Sequence, residues 1–274
     1  MTIPQALVLG VVQGLTEFIP ISSTAHLLIG QYLLGIEGDG QVFAFQVIVQ
    51  LGTVLALLIF FRRDFWQMLQ ACWNGIRGGR PFASHEARLA WLIVLASLPA
   101  LVVGFVVKDV VEEWFSSPTI HASARLLLSA ALLATAELWR RPARGLQSMS
   151  WMDALIIGLF QVLAVFPGAS RSGSTIAGGM SRGIERASAA RFALLLSAPV
   201  LLAAGAYEVS RVIELPGTHA FLPHLLTGFG ASTVVGWLAI RWLMGYLNRH
   251  SLALLAGYCA VVGLLVLLLP WAQS

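Results

Sequence analysis

The sequence predicts an all-α polytopic membrane protein, built as an inverted repeat in which each half has one re-entrant helix hairpin and three transmembrane helices. Of its 274 residues, 58% are hydrophobic and 11% are charged, against about 45–50% and about 25% in ordinary soluble domains. The mean hydropathy of +0.81 leaves too few charges for a soluble surface. The two cysteines, Cys72 and Cys259, lie in apolar stretches, which excludes a disulfide-stabilised secreted scaffold.

Six stretches are long and apolar enough to cross a bilayer, which takes about 20 residues. They are residues 43–61, 89–107, 120–138, 188–206, 222–240 and 251–270. Pro99 and Pro199 fall inside two of them, where a kinked helix is tolerated. The sequence therefore predicts six spans in a single membrane domain, 1–274.

Two further apolar regions, residues 3–35 and 151–185, are each interrupted by a polar break. The breaks are residues 20–24 and 167–175. Backbone that is not helical is tolerated at membrane depth only where protein or a water-filled cavity satisfies it. Each region is therefore predicted to be a re-entrant hairpin that returns to the side it entered from.

The two breaks are related in sequence. The pattern Gly-x-x-Gln-x-Leu-x-x-Phe begins at Gly10 and again at Gly158, and a proline and a serine follow in both copies. Such a period, near half the chain, indicates a duplication, with repeats at 1–140 and 150–274. Since each half has three spans, the second half must be inverted relative to the first.

Basic residues predict the orientation. If the loop after the first span is cytoplasmic, most arginines lie inside, as the positive-inside rule requires. The few basic residues then left outside are Lys108, Arg125 and Arg211. In this orientation the first hairpin enters from the outer side, the second enters from the cytoplasm, and both termini lie outside.

The candidate catalytic residues are Glu17, Ser23, His26 and Arg171, because ionisable groups inside apolar segments mark functional sites. Helices that begin after each break would direct positive dipole ends toward an anion such as phosphate, and an arginine can bind phosphate through two hydrogen bonds. Ser23 and His26 share a helix face, so a nucleophile, a base and an orienting group are available. The predicted substrate-binding residues are Gln13, Ser22, Thr24, Ser170, Ser172 and Thr175. The alternative is that the hydroxyls cap helices and that Glu17 and Arg171 form a structural ion pair.

At residues 14–26 (GLTEFIPISSTAH) and 167–175 (PGASRSGST), the sequence resembles the undecaprenyl-diphosphate phosphatase family, also called the bacitracin resistance protein family. The resemblance implies a bacterial inner-membrane hydrolase that converts undecaprenyl diphosphate to undecaprenyl phosphate and inorganic phosphate. That reaction recycles the lipid carrier for peptidoglycan and confers resistance to bacitracin, which acts through the substrate. The resemblance also implies two re-entrant helix pairs in an inverted repeat.

The resemblance bears on cofactors as well. Its (E/Q)xxxE motif has glutamine at Gln13, which weakens a metal site with two carboxylates and leaves Glu17 as the one candidate ligand. The family implies stimulation by Mg²⁺ or Ca²⁺, and an ion would then bridge phosphate oxygens and a carboxylate. No nucleic-acid partner is expected.

Several alternatives stay open at the level of sequence. A lipid flippase or anion transporter with a phosphate site at the midplane is the rival function, because inverted repeats with broken helices are typical of transporters. Serine attack and water attack are both compatible with the spacing, and either Glu17 or His26 could be the base. Prenyl chain length, lipid flipping by the enzyme itself and a homodimer are also left undecided.

Overall fold

The computed structural model describes residues 1–38, 40–114, 118–138, 144–165, 169–213 and 218–268. Over these residues the secondary structure is helical, and no strand is present apart from one isolated bridge between Arg144 and Ile184. The α-helices are α1 (Ile3–Thr16), α2 (Ser23–Leu33), α3 (Gly40–Phe60), α4 (Arg62–Arg77), α5 (His85–Trp114), α6 (Pro118–Leu138), α7 (Trp151–Val162), α8 (Arg171–Ser181), α9 (Arg186–Ile213), α10 (Thr218–Leu247) and α11 (Ala253–Leu267). A short 3-10 helix, Leu146–Ser148, precedes α7.

Four of these helices contain segments long and apolar enough to cross a membrane. The segments are Gly40–Phe60 in α3, His85–Val107 in α5, Arg186–Val209 in α9 and Phe221–Leu247 in α10. The all-α polytopic membrane class is thereby confirmed. The other two predicted spans correspond to α6 and to the shorter α11, which has 15 residues.

Some predicted features lie outside the described residues. These are Pro167 and Gly168 of the second break and the last two residues of the 251–270 span. Arg125 lies inside α6, within the predicted span 120–138 and seven residues after the helix begins at Pro118, and only 6% of its surface is exposed.

The two hairpins begin with the same kind of cap. Thr2 accepts a hydrogen bond from the backbone N–H of Gln5, whose side chain accepts from the Thr2 N–H. Ser150 and Asp153 form the equivalent reciprocal pair before α7. A capping box satisfies two of the N–H groups that a helix start leaves unpaired, so local sequence defines both starting points.

The third residue of each leading helix also joins the two ends of its hairpin. Gln5 Nε2 donates to the carbonyl oxygen of Leu34, just after α2, at 3.0 Å. Asp153 instead accepts hydrogen bonds from Arg182 Nε and Arg144 Nη2, each at 3.0 Å. One neutral hydrogen bond therefore closes the first hairpin, whereas a buried carboxylate with two arginines closes the second.

Each leading helix packs closely on a long helix of the other half. α1 lies against α10, and α7 lies against α5. A Cβ added at Gly10 would be 2.7 Å from the carbonyl oxygen of Gly228, and one at Gly158 would be 2.6 Å from that of Ala96. Only glycine permits so close a backbone approach, and the two glycines begin the repeated pattern. The inverted repeat itself stays a prediction, which this matched packing supports.

Candidate functional site

The two breaks come together in the interior of the protein. Glu17 is the C-cap of α1, Ser23 begins α2, and Arg171 begins α8. Glu17 and Arg171 form an ion pair across the two halves of the chain. A Cβ placed on Gly173 would lie 3.8 Å from the Cβ of Pro20, so the backbones are also close.

Glu17 is the centre of this cluster. Its Oε2 accepts hydrogen bonds from Ser23 Oγ at 2.7 Å and from Gln13 Nε2 at 2.9 Å, while Oε1 accepts from Arg171. The Glu17 side chain is only 3% exposed. A carboxylate removed from water is costly unless it is paired and hydrogen-bonded, and these three partners meet that requirement.

Ser22 introduces backbone strain immediately before α2. Its φ of 68° makes it the only residue other than glycine with a positive φ among the described residues. It occupies the N-cap position of α2, yet its side chain makes no capping hydrogen bond. Such a conformation costs an L-residue about 1–3 kcal/mol and persists where the surroundings impose it, often at functional sites.

His26 turns away from Ser23 and binds two other groups. Its Nδ1 is 2.9 Å from the carbonyl oxygen of Ser22, and its Nε2 is 2.8 Å from the hydroxyl of Tyr258. A carbonyl only accepts, so Nδ1 carries the hydrogen, and in the neutral ring Nε2 accepts from the tyrosine. The imidazole also stacks on the Tyr258 ring, with centroids 5.7 Å apart. The expected Glu17–Ser23–His26 relay is therefore present only as the Glu17–Ser23 hydrogen bond.

Sequence reasoning missed Tyr258. It lies on α11, 232 residues after His26, so local spacing could not reveal the contact. The available signal was a phenol within the apolar segment Ala253–Leu267, because a polar group inside a membrane needs a partner from the protein.

The hydroxyls of the second break bind the first turn of α8. Ser170 Oγ accepts from the N–H of Gly173 at 3.2 Å and lies 3.2 Å from Ser172 Oγ. Thr175 Oγ1 donates to the carbonyl of Arg171 at 2.8 Å. Ser129 of α6, a second residue that the sequence did not single out, accepts from the Ser170 N–H. These bonds fix the helix start that carries Arg171.

The Thr24 side chain stands apart from the cluster. It is half-buried in the first turn of α2, and no hydrogen bond joins its side chain to the cluster in the described part of the chain. Over the same residues, no group of three or more His, Cys, Asp or Glu side chains could hold a metal ion. Glu17 alone is a weak basis for a cation site, since both of its oxygens already accept hydrogen bonds.

Two helix N-termini add positive potential here. α2 begins at Ser23 and α8 begins at Arg171, and both residues bind Glu17. Unpaired N–H groups and the dipole at each start favour a negative charge. These helix starts could therefore attract a phosphate group as well as the Glu17 carboxylate. The hydroxyl of Ser23 and the carboxylate of Glu17 would then lie beside the phosphate.

These features define a class: a helical membrane protein with an anion-attracting polar cluster, formed by two broken hairpins. Residues 6–265 match the family described as Bacitracin resistance protein BacA, and the chain belongs to that family.

Its relatives match it along most of their length. A protein named Undecaprenyl-diphosphatase from Chlorobium phaeovibrioides is 39% identical over 281 residues, covering 98% of this chain and 97% of the relative. Proteins of the same name from Chloroherpeton thalassium and Anaeromyxobacter sp. (strain K) are 41% and 43% identical. They cover 97% and 92% of this chain, and 96% and 86% of their own lengths.

Proposed function

We propose that this chain is a membrane phosphatase that hydrolyses undecaprenyl diphosphate to undecaprenyl phosphate and inorganic phosphate. The observation that carries the proposal is the buried Glu17 carboxylate, which binds Ser23 of one hairpin and Arg171 of the other. Membership of the family supports the same reaction, as does the name that its relatives share. Through that reaction the protein would recycle a wall-polymer lipid carrier and confer resistance to bacitracin.

Substrate binding would rearrange the ion pair. The terminal phosphate of the diphosphate is a stronger bidentate partner for a guanidinium than one carboxylate oxygen. Arg171 would move from Glu17 to the phosphate, which would also receive N–H groups at the starts of α2 and α8. Glu17 would keep its hydrogen bond from Ser23 and become the base.

Ser23 would then be the nucleophile. Its Oγ attacks the terminal phosphorus while its proton passes to Glu17 Oε2, which already accepts from it at 2.7 Å. An Oγ–P bond forms, the bond from phosphorus to the bridging oxygen breaks, and undecaprenyl phosphate leaves. Water attacks the phosphoserine next, Glu17 returns its proton to Oγ, and inorganic phosphate is released. Positioning and electrostatic stabilisation supply most of the catalysis in such transfers.

We assign His26 a positioning role. Both of its ring nitrogens are engaged, one by the carbonyl oxygen of Ser22 and one by Tyr258. These bonds stabilise the strained residue that precedes Ser23, so His26 and Tyr258 would direct the nucleophile without taking its proton.

The residues present do not fit a resident metal. One carboxylate with both oxygens occupied falls well short of the six or more oxygen ligands that Ca²⁺ takes, and Mg²⁺ also needs six. We propose that Mg²⁺ or Ca²⁺ stimulates the reaction as a counterion of the diphosphate, so no step of the mechanism uses a protein-bound ion.

The location follows from the spans and the arginines. We propose a bacterial inner-membrane protein with inverted halves, both termini outside and the cluster open to the outer face. The cytoplasmic ends would then carry Arg62 and Arg63 after α3 and Arg241 near the end of α10, as the positive-inside rule requires.

The decisive experiment measures phosphate released from undecaprenyl diphosphate by the purified protein in detergent. Transport has no direction in a micelle, so a flippase or anion carrier without hydrolysis would release no phosphate. We expect release by the wild type and none by Ser23→Ala. Acid quench during turnover should trap a radioactive phosphoenzyme in the wild type alone. Turnover by Ser23→Ala near the wild-type rate would exclude serine attack and leave attack by water.

A further inference from the structure

Helix α4 (Arg62–Arg77) exposes a continuous apolar stripe. Trp66, Leu69, Trp73 and Ile76 are each 58–62% exposed. Their spacing of three or four residues places them on one side of a helix. Four large apolar side chains in a row are too many to be scattered surface residues.

The rest of the helix surface is divided between protein and water. Met68 is 6% exposed and belongs to the main core, and α4 packs against α5. Gln67, Gln70 and Asn74 are exposed on the opposite side. The apolar stripe lies between these two surfaces, and no described part of the chain covers it.

The charges beside the stripe are mostly positive. The exposed arginines are Arg62, Arg63, Arg77 and Arg80. Asp64, the one acidic residue of α4, is paired with Arg191 of α9. The Arg77 guanidinium lies 4.9 Å from the Trp73 ring centroid, so cationic and apolar groups adjoin.

The position of α4 links this surface to the bilayer. α4 begins at Arg62, two residues after α3 ends at Phe60, and α3 is long and apolar enough to cross a membrane. The helix therefore starts where α3 leaves the hydrocarbon. Beyond it, the exposed Phe82 meets Trp151 edge-on at 5.4 Å, so aromatic rings continue along this end of the protein, as in an interfacial belt.

We propose that α4 is an interfacial helix that binds anionic phospholipid. Trp66, Leu69, Trp73 and Ile76 enter the acyl boundary of the leaflet where α3 ends, and the arginines bind negatively charged headgroups. Lipid is favoured over a second copy of the chain, because the stripe continues from a spanning helix and its flanks have one sign of charge. This inference does not depend on the phosphatase activity.

The depth of the helix tests the apolar part of the proposal. In a Cys72→Ser, Cys259→Ala background, a nitroxide is attached to Leu69→Cys or, as the matched control, to Gln70→Cys. The proteins are placed in phosphatidylcholine nanodiscs containing 30% phosphatidylglycerol, roughly an anionic leaflet. Oxygen, which concentrates in lipid, should relax the label at position 69. A water-soluble nickel chelate should relax the label at position 70. Both labels accessible to nickel, or the label at 69 shielded from both reagents by protein, would overturn the proposal.

A second measurement avoids the cysteine background. The fluorescence of the wild type minus that of a Trp66→Phe, Trp73→Phe variant isolates the two rings, and brominated phosphatidylcholine should quench this difference. A difference that the bromines leave unchanged would show that neither ring enters the lipid, and would overturn the proposal even if the labelled proteins fail to fold.

The arginines are tested separately. Restricted mobility of spin-labelled phosphatidylglycerol is compared in the wild type and in an Arg62→Gln, Arg63→Gln, Arg77→Gln, Arg80→Gln variant. In the variant, we expect the preference for phosphatidylglycerol over spin-labelled phosphatidylcholine to fall at least about fivefold, which is the contribution of one arginine near an anionic surface. In the wild type, the same preference should fall at high salt. An unchanged preference would refute anionic-lipid binding.

Discussion

The two hairpins have the same construction but carry different chemistry. Counting along the repeated pattern, the position of Glu17 in the first copy is occupied by Val165 in the second, and that of His26 by Gly173. The second copy supplies Arg171 instead. Neither half contains a complete site, so the acidic and the cationic groups become useful only where the two breaks meet.

The two breaks also differ in how the following helix starts. Ser170 caps α8 in an ordinary extended conformation, and its Oγ accepts from Gly173. Ser22 precedes α2 with φ 68° and no side-chain cap. The cap at α8 holds a cation in place, whereas the strained start at α2 aims a hydroxyl at Glu17. Among the described residues, this backbone strain lies in the break that contains the proposed nucleophile.

The largest expected effect is the loss of the cation. Arg171→Ala should lower phosphate release about 10³-fold, because an arginine that stabilises the transferring phosphoryl group contributes on that scale. Arg171→Lys should also be impaired, since a lysine lacks the two parallel hydrogen bonds. Arg241→Ala, an exposed arginine over Trp237, is the control and should retain activity. Wild-type release by Arg171→Ala would disprove the anion site.

A double mutant tests whether the two halves act as one unit. Glu17→Gln alone should cost about 10²–10⁴-fold as loss of a general base. Combined with Arg171→Ala, the loss should be far less than the product of the single effects, since residues that act together are not additive. Fully multiplicative losses would mean that the two residues work independently. Adding Val165→Glu to Glu17→Gln should not restore activity, because Ser170, the counterpart of Ser23, caps α8 through the Gly173 N–H.

Part of this arrangement follows from sequence and part does not. The membrane class, the helix starts after each break and the meeting of Glu17 with Arg171 were predictable, because prolines, capping serines and misplaced charges mark them locally. The left-handed Ser22 was not, since serine has no such preference. Nor were Tyr258 and Ser129, whose contacts depend on how α11 and α6 pack. Helix α4 was not predictable either, because arginines directly after a span are typical of a cytoplasmic loop.

Substitutions at Ser22 separate the backbone from the hydroxyl. Ser22→Gly should keep near-wild-type turnover, since glycine adopts positive φ without strain. Ser22→Val should lower turnover at least about tenfold, because a β-branched residue resists this conformation and α2 would start differently. Ser22→Ala tests the hydroxyl itself. If glycine is as harmful as valine, the conformation is not what matters at this position.

Tyr258→Phe should have a smaller effect that identifies its role. Loss of one hydrogen bond of about 1 kcal/mol predicts a decrease in kcat of about fivefold. If Tyr258 holds the neutral His26 tautomer, an Nε2 freed from the tyrosine protonates more readily. As the pH is lowered, the variant should therefore lose activity before the wild type does. An equal loss at every pH would indicate packing alone. Tyr32→Phe, on the same hairpin as His26, is the control.

The smallest effect on catalysis, and a clear one on stability, is expected where the hairpins close. Asp153→Ala removes a carboxylate that is 0% exposed and accepts from two arginines and from Ser150, although both arginines are about one-third exposed and partly hydrated. We expect a loss of about 2–3 kcal/mol in unfolding free energy. Gln5→Ala removes the neutral bond to Leu34 and the one from the exposed Thr2 N–H, which water can replace, and should cost about 0.5–1.5 kcal/mol. Thermal unfolding in detergent measures both, with Ser148→Ala as an exposed control.

Since neither residue touches the cluster, kcat should change little in either variant. If Gln5→Ala lowered the unfolding free energy more than Asp153→Ala, the neutral hydrogen bond would matter more than the ionic one. The first hairpin would then depend more on the contact between its ends than the second.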